Sequence, residues 1–172
     1  MCGFAGFYSK DEIDYSKVLQ KITSAINHRG PDDTKYYLNK EQNLFVGFKR
    51  LSIIDLSNNG MQPINSFKNK YTIFFNGEIY NYKKIKDILF STNKSIFYKS
   101  KTDTEILVNS FESLGIDKTL ELIEGQFAIA LYDNEKFELN LIRDKFGEKP
   151  LYYGNINNSF LFASELKSFF NF

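Results

Sequence analysis

The sequence has one cysteine, one histidine and no tryptophan among its 172 residues. The single cysteine, Cys2, excludes an internal disulfide framework, so nothing favours secretion and we expect a cytoplasmic protein. Cys2 and His28 together cannot supply the roughly three or four ligands of a Cys/His metal site. No apolar run reaches the roughly 18 residues that cross a membrane, and no basic region followed by an apolar stretch marks a signal peptide. We therefore expect no metal and no membrane segment.

The sequence carries no excess of charge of either sign. Its formal net charge is +1, so no global attraction to nucleic acid or to an acidic membrane is expected. Hydrophobic residues make up 42% and charged residues 25%, which excludes a disordered tail. The 18 phenylalanines and 11 tyrosines favour a sheet-rich core. The length fits one domain over residues 1–172.

Apolar periodicity and turn residues divide the chain into strands and helices. One strand ends at Asn76 and Gly77, a pair typical either of a type I′ hairpin turn or, here, of a passage from strand to helix. The spacing of the last four strands predicts an antiparallel meander. The whole pattern predicts an α+β domain in which helices interrupt two groups of antiparallel strands. Strands are predicted over 4–8, 36–38, 44–48, 71–75, 127–132, 137–143, 151–153 and 160–163, and helices over 15–26, 82–90 and 102–114.

Cys2 has the position of an N-terminal nucleophile. If Met1 is removed, which the small side chain of Cys2 permits, the chain begins with a thiol beside a free α-amine. That amine has a pKa of about 8, so it can accept the thiol proton without a histidine. Position alone leaves open the alternative of a small buried hydrophobe. A Ser-His-Asp triad would need His28, and we reject it because no Gly-x-Ser-x-Gly nucleophile elbow is present.

Blocks of sequence spread along the chain resemble one family. They are Met-Cys-Gly-Phe-Ala-Gly at 1–6, His-Arg-Gly-Pro-Asp at 28–32, Arg-Leu-Ser-Ile-Ile-Asp-Leu-Ser at 50–57, Gln-Pro at 62–63, Asn-Gly-Glu-Ile-Tyr-Asn at 76–81, Ser-Lys-Thr-Asp-Thr-Glu at 100–105, Arg-Asp-Lys-Phe-Gly-Glu-Lys-Pro-Leu-Tyr-Tyr at 143–153 and Ser-Glu-Leu-Lys at 164–167. Their order is similar to that of the class II glutamine amidotransferases, which are N-terminal-nucleophile hydrolases, and within them to the asparagine synthetase branch. A collinear series over essentially the whole chain is a specific signal.

The resemblance implies a fold and an activity. The fold is a four-layer αββα sandwich of two antiparallel sheets with helices outside. The activity is hydrolysis of L-glutamine to glutamate and ammonia through a thioester on Cys2, with the ammonia supplied for asparagine synthesis. This domain would need no cofactor, and ATP and Mg²⁺ are expected only in a synthetase domain that residues 1–172 do not contain. The expected partners are L-glutamine and the synthetase domain or subunit that receives ammonia, and a homo-oligomer is compatible with the sequence.

The resemblance also assigns roles to individual residues. The oxyanion of the tetrahedral intermediate would be held by the side-chain amide of Asn76 and the backbone N–H of Gly77, since an amide donates without a titrating charge and glycine allows close approach. Arg50 would grip the α-carboxylate of glutamine with two hydrogen bonds. The remaining pocket residues would be Leu51, Ser52, Ile53 and Ile54, which line it largely through backbone groups, Asp103, which faces the α-ammonium, and Glu78 on a loop nearby.

Some of these residues have simpler explanations. Asp103 lies at the start of the predicted helix over 102–114, where Thr102 or Asp103 can act as the N-cap, and capping alone accounts for an aspartate there. His28 and Arg29 are expected to order the loop around the nucleophile rather than to shuttle protons.

Phe48 stands where the family usually has histidine, and Met1, if retained, would lock the α-amine of Cys2 in a peptide bond. Two other functions therefore stay open. One is a catalytically silent assembly module for a synthetase partner. The other is an ammonia donor for a different acceptor, such as a sugar or a cell-wall acid.

Overall fold

Two antiparallel sheets pack face to face, and helices cover the outer face of each. The structure is a computed structural model that describes residues 1–11, 13–52, 55, 57–92 and 96–172. The strands are β1 (Gly3–Ser9), β2 (Asp33–Asn39), β3 (Leu44–Arg50), β4 (Ile64–Asn65), β5 (Tyr71–Ile79), β6 (Gly125–Asp133), β7 (Glu138–Arg143), β8 (Tyr152–Ile156) and β9 (Ser159–Ala163). The helices are α1 (Tyr15–Ser24), α2 (Tyr82–Thr92), α3 (Asp103–Leu114) and α4 (Ile116–Leu122). Short 3₁₀ helices span Asn27–Arg29, Asn58–Gly60 and Leu166–Asn171.

The first sheet has the strand order β2-β3-β1-β9-β8, and the second has the order β4-β5-β6-β7. Side chains of a strand alternate between the two faces of its sheet. In β1, Phe4 therefore packs between the sheets, whereas Phe7 packs outward against Leu19 and Ile22 of α1. The outer face of the second sheet packs against α2, α3 and α4. The predicted four-layer αββα sandwich is confirmed.

The layer between the sheets is built from large apolar side chains. Phe4, Phe48, Phe74 and Phe162 are fully buried there, and we call these four residues the inter-sheet core. Burying one such side chain stabilises the fold by about 1.5–3 kcal/mol. Phe48, at the position where the resemblance leads us to expect histidine, thus places an apolar ring in the core.

The structure differs from the sequence-based elements in several places. Asn76 and Gly77 form no turn, because β5 continues to Ile79 in register with β6, where Gly77 lies opposite Phe127. The last four strands do not form one meander: β6 and β7 pair in the second sheet, and β8 and β9 pair in the first. Helix α4 was not predicted. Pairing with a distant strand overrides the local Asn-Gly turn signal.

In the described ranges, no helix is long and apolar enough to cross a membrane. Over the same residues, no group of three or more His, Cys, Asp or Glu side chains is placed to hold a metal ion.

Candidate active site

A pocket of about 340 Å³ opens at the end of the sandwich where β1 begins and β3 ends. Both sheets contribute to its walls. The pocket brings together most of the residues that the sequence marks as catalytic or substrate-binding, namely Cys2, Arg50, Leu51, Ser52, Asn76, Gly77, Glu78 and Asp103. Ile53 and Ile54, also predicted to line it, lie outside the described residues.

The thiol of Cys2 contacts the backbone N–H and the backbone carbonyl of Leu51, the residue after β3. The backbone N–H of Leu51 donates to Cys2 Sγ at 3.4 Å, and the thiol lies 3.6 Å from the Leu51 carbonyl oxygen. Burial raises the pKa of the Cys2 thiol, and the Leu51 hydrogen bond and the nearby positive charges oppose that rise only in part. A neutral thiol must lose its proton to a base before it attacks a carbonyl. In the structure the α-nitrogen of Cys2 is bonded to Met1, which is 58% exposed at the pocket wall.

Asn76 lies in β5 with its side chain directed toward the nucleophile, and it is 1% exposed. We assign its amide in the orientation that satisfies both neighbours. Nδ2 then donates to the Cys2 carbonyl oxygen at 2.9 Å, and Oδ1 accepts from Arg29 Nη2 at 3.1 Å. One N–H of the amide is used in this contact, and the amide carries a second one. Asn76 is therefore a neutral donor that contacts Cys2 through its backbone carbonyl oxygen.

The backbone N–H of Gly77 points to the edge of β5 that faces the pocket. Its neighbours two residues away use the same edge: Phe75 bonds to the Gln62 side chain, and the Ile79 N–H donates to Asp103. Backbone groups of residues two apart point the same way in a strand. A Cβ at position 77 would lie 2.2 Å from the Gln126 carbonyl oxygen. Only glycine fits this close approach of β5 and β6 while lining the pocket.

Arg50 ends β3 and is 5% exposed. Its guanidinium donates to two backbone carbonyl oxygens, those of Ser57 at 2.9 Å and of Asp55. A Cβ on Gly60 would lie 2.6 Å from Arg50 Nη2, so the loop fits closely around this group. Among the described residues no carboxylate lies within 4.0 Å of it. Arg50 is a buried cation whose remaining donors can hold an anion.

Asp103 is the first residue of α3 and is 4% exposed. Thr102 is the N-cap of that helix, since its side chain accepts from the Glu105 N–H at 3.4 Å. Capping therefore does not account for Asp103. Its Oδ2 accepts from the Ile79 N–H at 2.9 Å, and in the described part of the chain it forms no ion pair. Burial raises the pKa of the Asp103 carboxyl.

Glu78, His28 and Arg29 lie at different distances from the pocket interior. Glu78 is exposed in β5, not on a loop after it, and lines the pocket. His28 is half exposed and contacts Glu165 at 2.8 Å rather than the pocket. Arg29 is 8% exposed and donates to the Cys2 carbonyl oxygen at 3.0 Å. Of His28 and Arg29, only Arg29 contacts Cys2, through the backbone carbonyl oxygen of that residue.

The structure brings in residues to which sequence reasoning gave no role. The buried Gln62 side chain extends the edge of β5 by bonding both backbone groups of Phe75. Asp32 accepts from the Ser52 N–H at 2.7 Å and so ties the 28–32 block to the segment after β3. Gln62 and Asp32 both lie inside motif blocks, and that is the sequence signal that could have found them. Their hydrogen bonds, however, join positions far apart in sequence.

Solved structures of other proteins share this fold. The fold matches the glutamine phosphoribosylpyrophosphate amidotransferase of B. subtilis with a TM-score of 0.79 at 18% identity, over 98% of this chain and 43% of that one. A structure described as the allosteric regulatory enzyme of purine biosynthesis matches with a TM-score of 0.76 at 19% identity, over 99% of this chain and 43% of that one. The chain thus shares the fold of these two structures.

Sequence comparison gives the family. A family model described as a glutamine amidotransferase domain matches residues 1–172, and the chain belongs to that family. It is 37% identical to asparagine synthetase [glutamine-hydrolyzing] 2 of Bacillus subtilis over 99% of this chain and 22% of that protein. It is 33% identical to asparagine synthetase [glutamine-hydrolyzing] of Bos taurus over 99% of this chain and 30% of that protein. The chain thus spans less than a third of the length of these relatives.

Proposed function

We propose that this chain hydrolyses L-glutamine to L-glutamate and ammonia, with the thiol of Cys2 as the nucleophile. The observation that carries the proposal is the pair of buried, unneutralised charges on the pocket wall. Arg50 and Asp103 carry opposite charges, and neither has an ion-pair partner among the described residues. A free amino acid carries a carboxylate and an ammonium, which complement these two groups.

Before any turnover, hydrolysis of the Met1–Cys2 peptide bond removes Met1 and frees the α-amine of Cys2. The amine accepts the thiol proton as sulfur attacks the δ-carbon of glutamine, and the C–S bond forms while the carbonyl π-bond opens. The amine returns the proton to the departing nitrogen, the C–N bond breaks and ammonia leaves. Water then attacks the thioester carbon while the amine accepts its proton, and the C–S bond breaks as the amine passes that proton to sulfur, which releases glutamate and restores the Cys2 thiol.

The negative charge of each tetrahedral intermediate falls on one oxygen. The second N–H of the Asn76 amide and the backbone N–H of Gly77 are the donors for that oxygen. Neutral donors fixed in a strand need little reorganisation as charge develops, and each contributes about 3–4 kcal/mol of barrier reduction in sites of this kind. No metal or organic cofactor takes part in this scheme.

The use of the ammonia is inferred from the relatives. The relatives named above are glutamine-hydrolysing asparagine synthetases of which the chain covers 22–30%. We propose that the ammonia feeds an amide-forming domain or subunit that makes asparagine. ATP and Mg²⁺ belong to that part, and the compartment is the cytoplasm.

The test is glutamine turnover by the purified chain, with the N-terminus of each sample checked by intact mass. Cys2→Ala is the matched control, because alanine permits removal of Met1 equally well and lacks only the thiol. Release of glutamate and ammonia by the processed wild-type chain, and none by Cys2→Ala, is the expected result. A processed wild-type chain no faster than Cys2→Ala would overturn the proposal and favour an assembly module.

A further inference from the structure

The guanidinium of Arg29 joins three groups from separate parts of the chain. Nε donates to the Cys2 carbonyl oxygen at 3.0 Å and Nη2 to Asn76 Oδ1 at 3.1 Å, while Nη1 donates to Glu165 Oε1 at 3.0 Å. The side chain is 7% exposed. Every nitrogen of this planar group is engaged, so a shift of one contact moves the other two.

Glu165 is brought to Arg29 by an extension of the β1–β9 pairing. The Ser164 N–H donates to the Phe4 carbonyl oxygen at 2.8 Å, and its hydroxyl accepts from the Phe4 N–H at 3.0 Å. Ser164 is fully buried. The residue after it is therefore fixed relative to the start of β1. Unlike Cys2 and Asn76, Glu165 does not line the pocket.

The stem of Arg29 packs against β1, and Glu165 holds the end of its guanidinium. A Cβ on Gly3 would lie 2.9 Å from Arg29 Cδ, so the stem of the arginine lies flat against the backbone of β1. The Glu165 carboxylate accepts from Arg29 Nη1, and Arg29 Nη2 points at Asn76. The terminal torsion of an asparagine is broad and roughly two-fold, so its orientation is set by its hydrogen-bond partners.

We propose that Glu165 is a positioning residue for glutamine hydrolysis, which through Arg29 orients the Asn76 amide so that its N–H group faces the oxyanion. Arg29 donates to Oδ1 of Asn76, and in this orientation Nδ2 of the same amide points toward Cys2. The inference deepens the proposed function and rests on it. Glu165 touches neither substrate nor reacting atoms.

Two other groups contact the same carboxylate from the solvent side. His28 Nε2 lies 2.8 Å from Oε1, and Lys167 Nζ lies 3.1 Å from Oε2. The Lys167 side chain is 45% exposed, and exposed ion pairs contribute little. Lys167→Ala is therefore the matched control, since it removes an ion pair of Glu165 and leaves the contact to Arg29.

The kinetic test compares Glu165→Ala, Glu165→Gln and Lys167→Ala in the processed chain. For Glu165→Ala we expect kcat for glutamine to fall about 10- to 100-fold with KM within about twofold, because the groups that bind the amino acid are untouched. Glu165→Gln keeps an oxygen that accepts from Arg29 and should recover most of kcat, and Lys167→Ala should match wild type. Alkylation of Cys2 by iodoacetamide needs no oxyanion donor and should be unchanged. Wild-type kcat in Glu165→Ala would overturn the inference.

A second measurement does not depend on activity. The side-chain amide of Asn76 gives a pair of signals in a ¹H–¹⁵N spectrum, assigned by their loss in Asn76→Asp. Glu165→Ala should shift or broaden this pair, whereas Glu165→Gln and Lys167→Ala should leave it in place. An unmoved Asn76 signal in folded Glu165→Ala would overturn the inference even if glutamine is hydrolysed. A wild-type chain without turnover would instead overturn the proposed function.

Discussion

The inter-sheet core and the pocket are neighbours at one end of the sandwich, yet they are built from opposite kinds of residue. The core consists of fully buried phenylalanines such as Phe74. Two residues along β5, Asn76 is equally buried but polar and bonded to the nucleophile segment. One strand therefore serves both regions, and its alternation places both side chains on the same face of the sheet.

The difference between the two regions separates stability from chemistry. Burial of aromatic rings supplies free energy of folding, whereas burial of charges such as those of Arg50 and Asp103 opposes it. A substitution in the core should therefore act on the free energy of unfolding. A substitution in the pocket should act on turnover, and Asp103→Asn should in addition stabilise the fold.

The largest effect is expected in the core. Phe74→Ala should lower the free energy of unfolding by about 3–5 kcal/mol, because it removes a fully buried ring and leaves a cavity between the sheets. Urea denaturation measures this. Phe97→Ala is the matched control, since that ring is 78% exposed and its removal should change little. A loss below 1 kcal/mol at Phe74 would mean that the core does not carry the stability.

The next effect is on catalysis at the adjacent polar position. Asn76→Ala should lower kcat for glutamine about 10²- to 10³-fold through the loss of one oxyanion donor. Steady-state kinetics at saturating glutamine measures it. Asn140→Ala, in β7 outside the pocket, is the control. Equal kcat in wild type and Asn76→Ala would remove Asn76 from the oxyanion site.

A smaller effect is expected at the carboxylate-binding group. Arg50→Lys keeps the charge but cannot form two parallel hydrogen bonds, so KM for glutamine should rise about tenfold or more with a smaller change in kcat. The control is Arg143→Lys, because Arg143 is exposed. If KM is unchanged while kcat falls, Arg50 acts on the reaction rather than on substrate binding.

Asp103→Asn should separate stability from binding. Burial raises the pKa of Asp103, so the native state holds a proton more tightly than the unfolded chain, and ionisation at neutral pH opposes folding. The substitution should raise the free energy of unfolding at pH 7, and the gain should shrink as the pH falls below the ordinary carboxyl range. KM for glutamine should rise about 10-fold or more. Thermal denaturation across pH measures the first part, and a destabilised variant at pH 7 would contradict it.

The smallest effect concerns Glu165. Hydrogen bonds from Arg29, His28 and Lys167 outweigh burial and hold the pKa of its carboxyl at about 2, below the ordinary value of 4.5. Its stabilisation is complete above pH 4.5 and is lost as the pH falls toward 2. Wild type and Glu165→Gln should therefore differ in urea stability at pH 6 and converge near pH 2. Curves separated by a constant amount at every pH would contradict this assignment.

Most strands and helices are predicted from alternation and helical spacing, which are local signals, whereas the four-layer sandwich is predicted through the family resemblance. The end of β5 is misplaced, because β5 continues past the Asn-Gly pair only through its pairing with β6. In that pairing Gly77 lies opposite Phe127, about fifty residues away in sequence. The site residues on the pocket wall were found through motif blocks. The pairing of Arg29 with Glu165 has no such signal, because a hydrogen bond from Arg29 to Glu165 leaves no periodic pattern in the sequence.

The central claim is that the thiol of Cys2 carries the glutamyl group during turnover. The most direct measurement is intact mass spectrometry of the processed chain, quenched in acid while it turns over glutamine. The account predicts a fraction heavier by one γ-glutamyl group, which is absent from Cys2→Ala and increased when breakdown of the thioester is slowed at low temperature. A processed chain that turns over glutamine without any such adduct would contradict it.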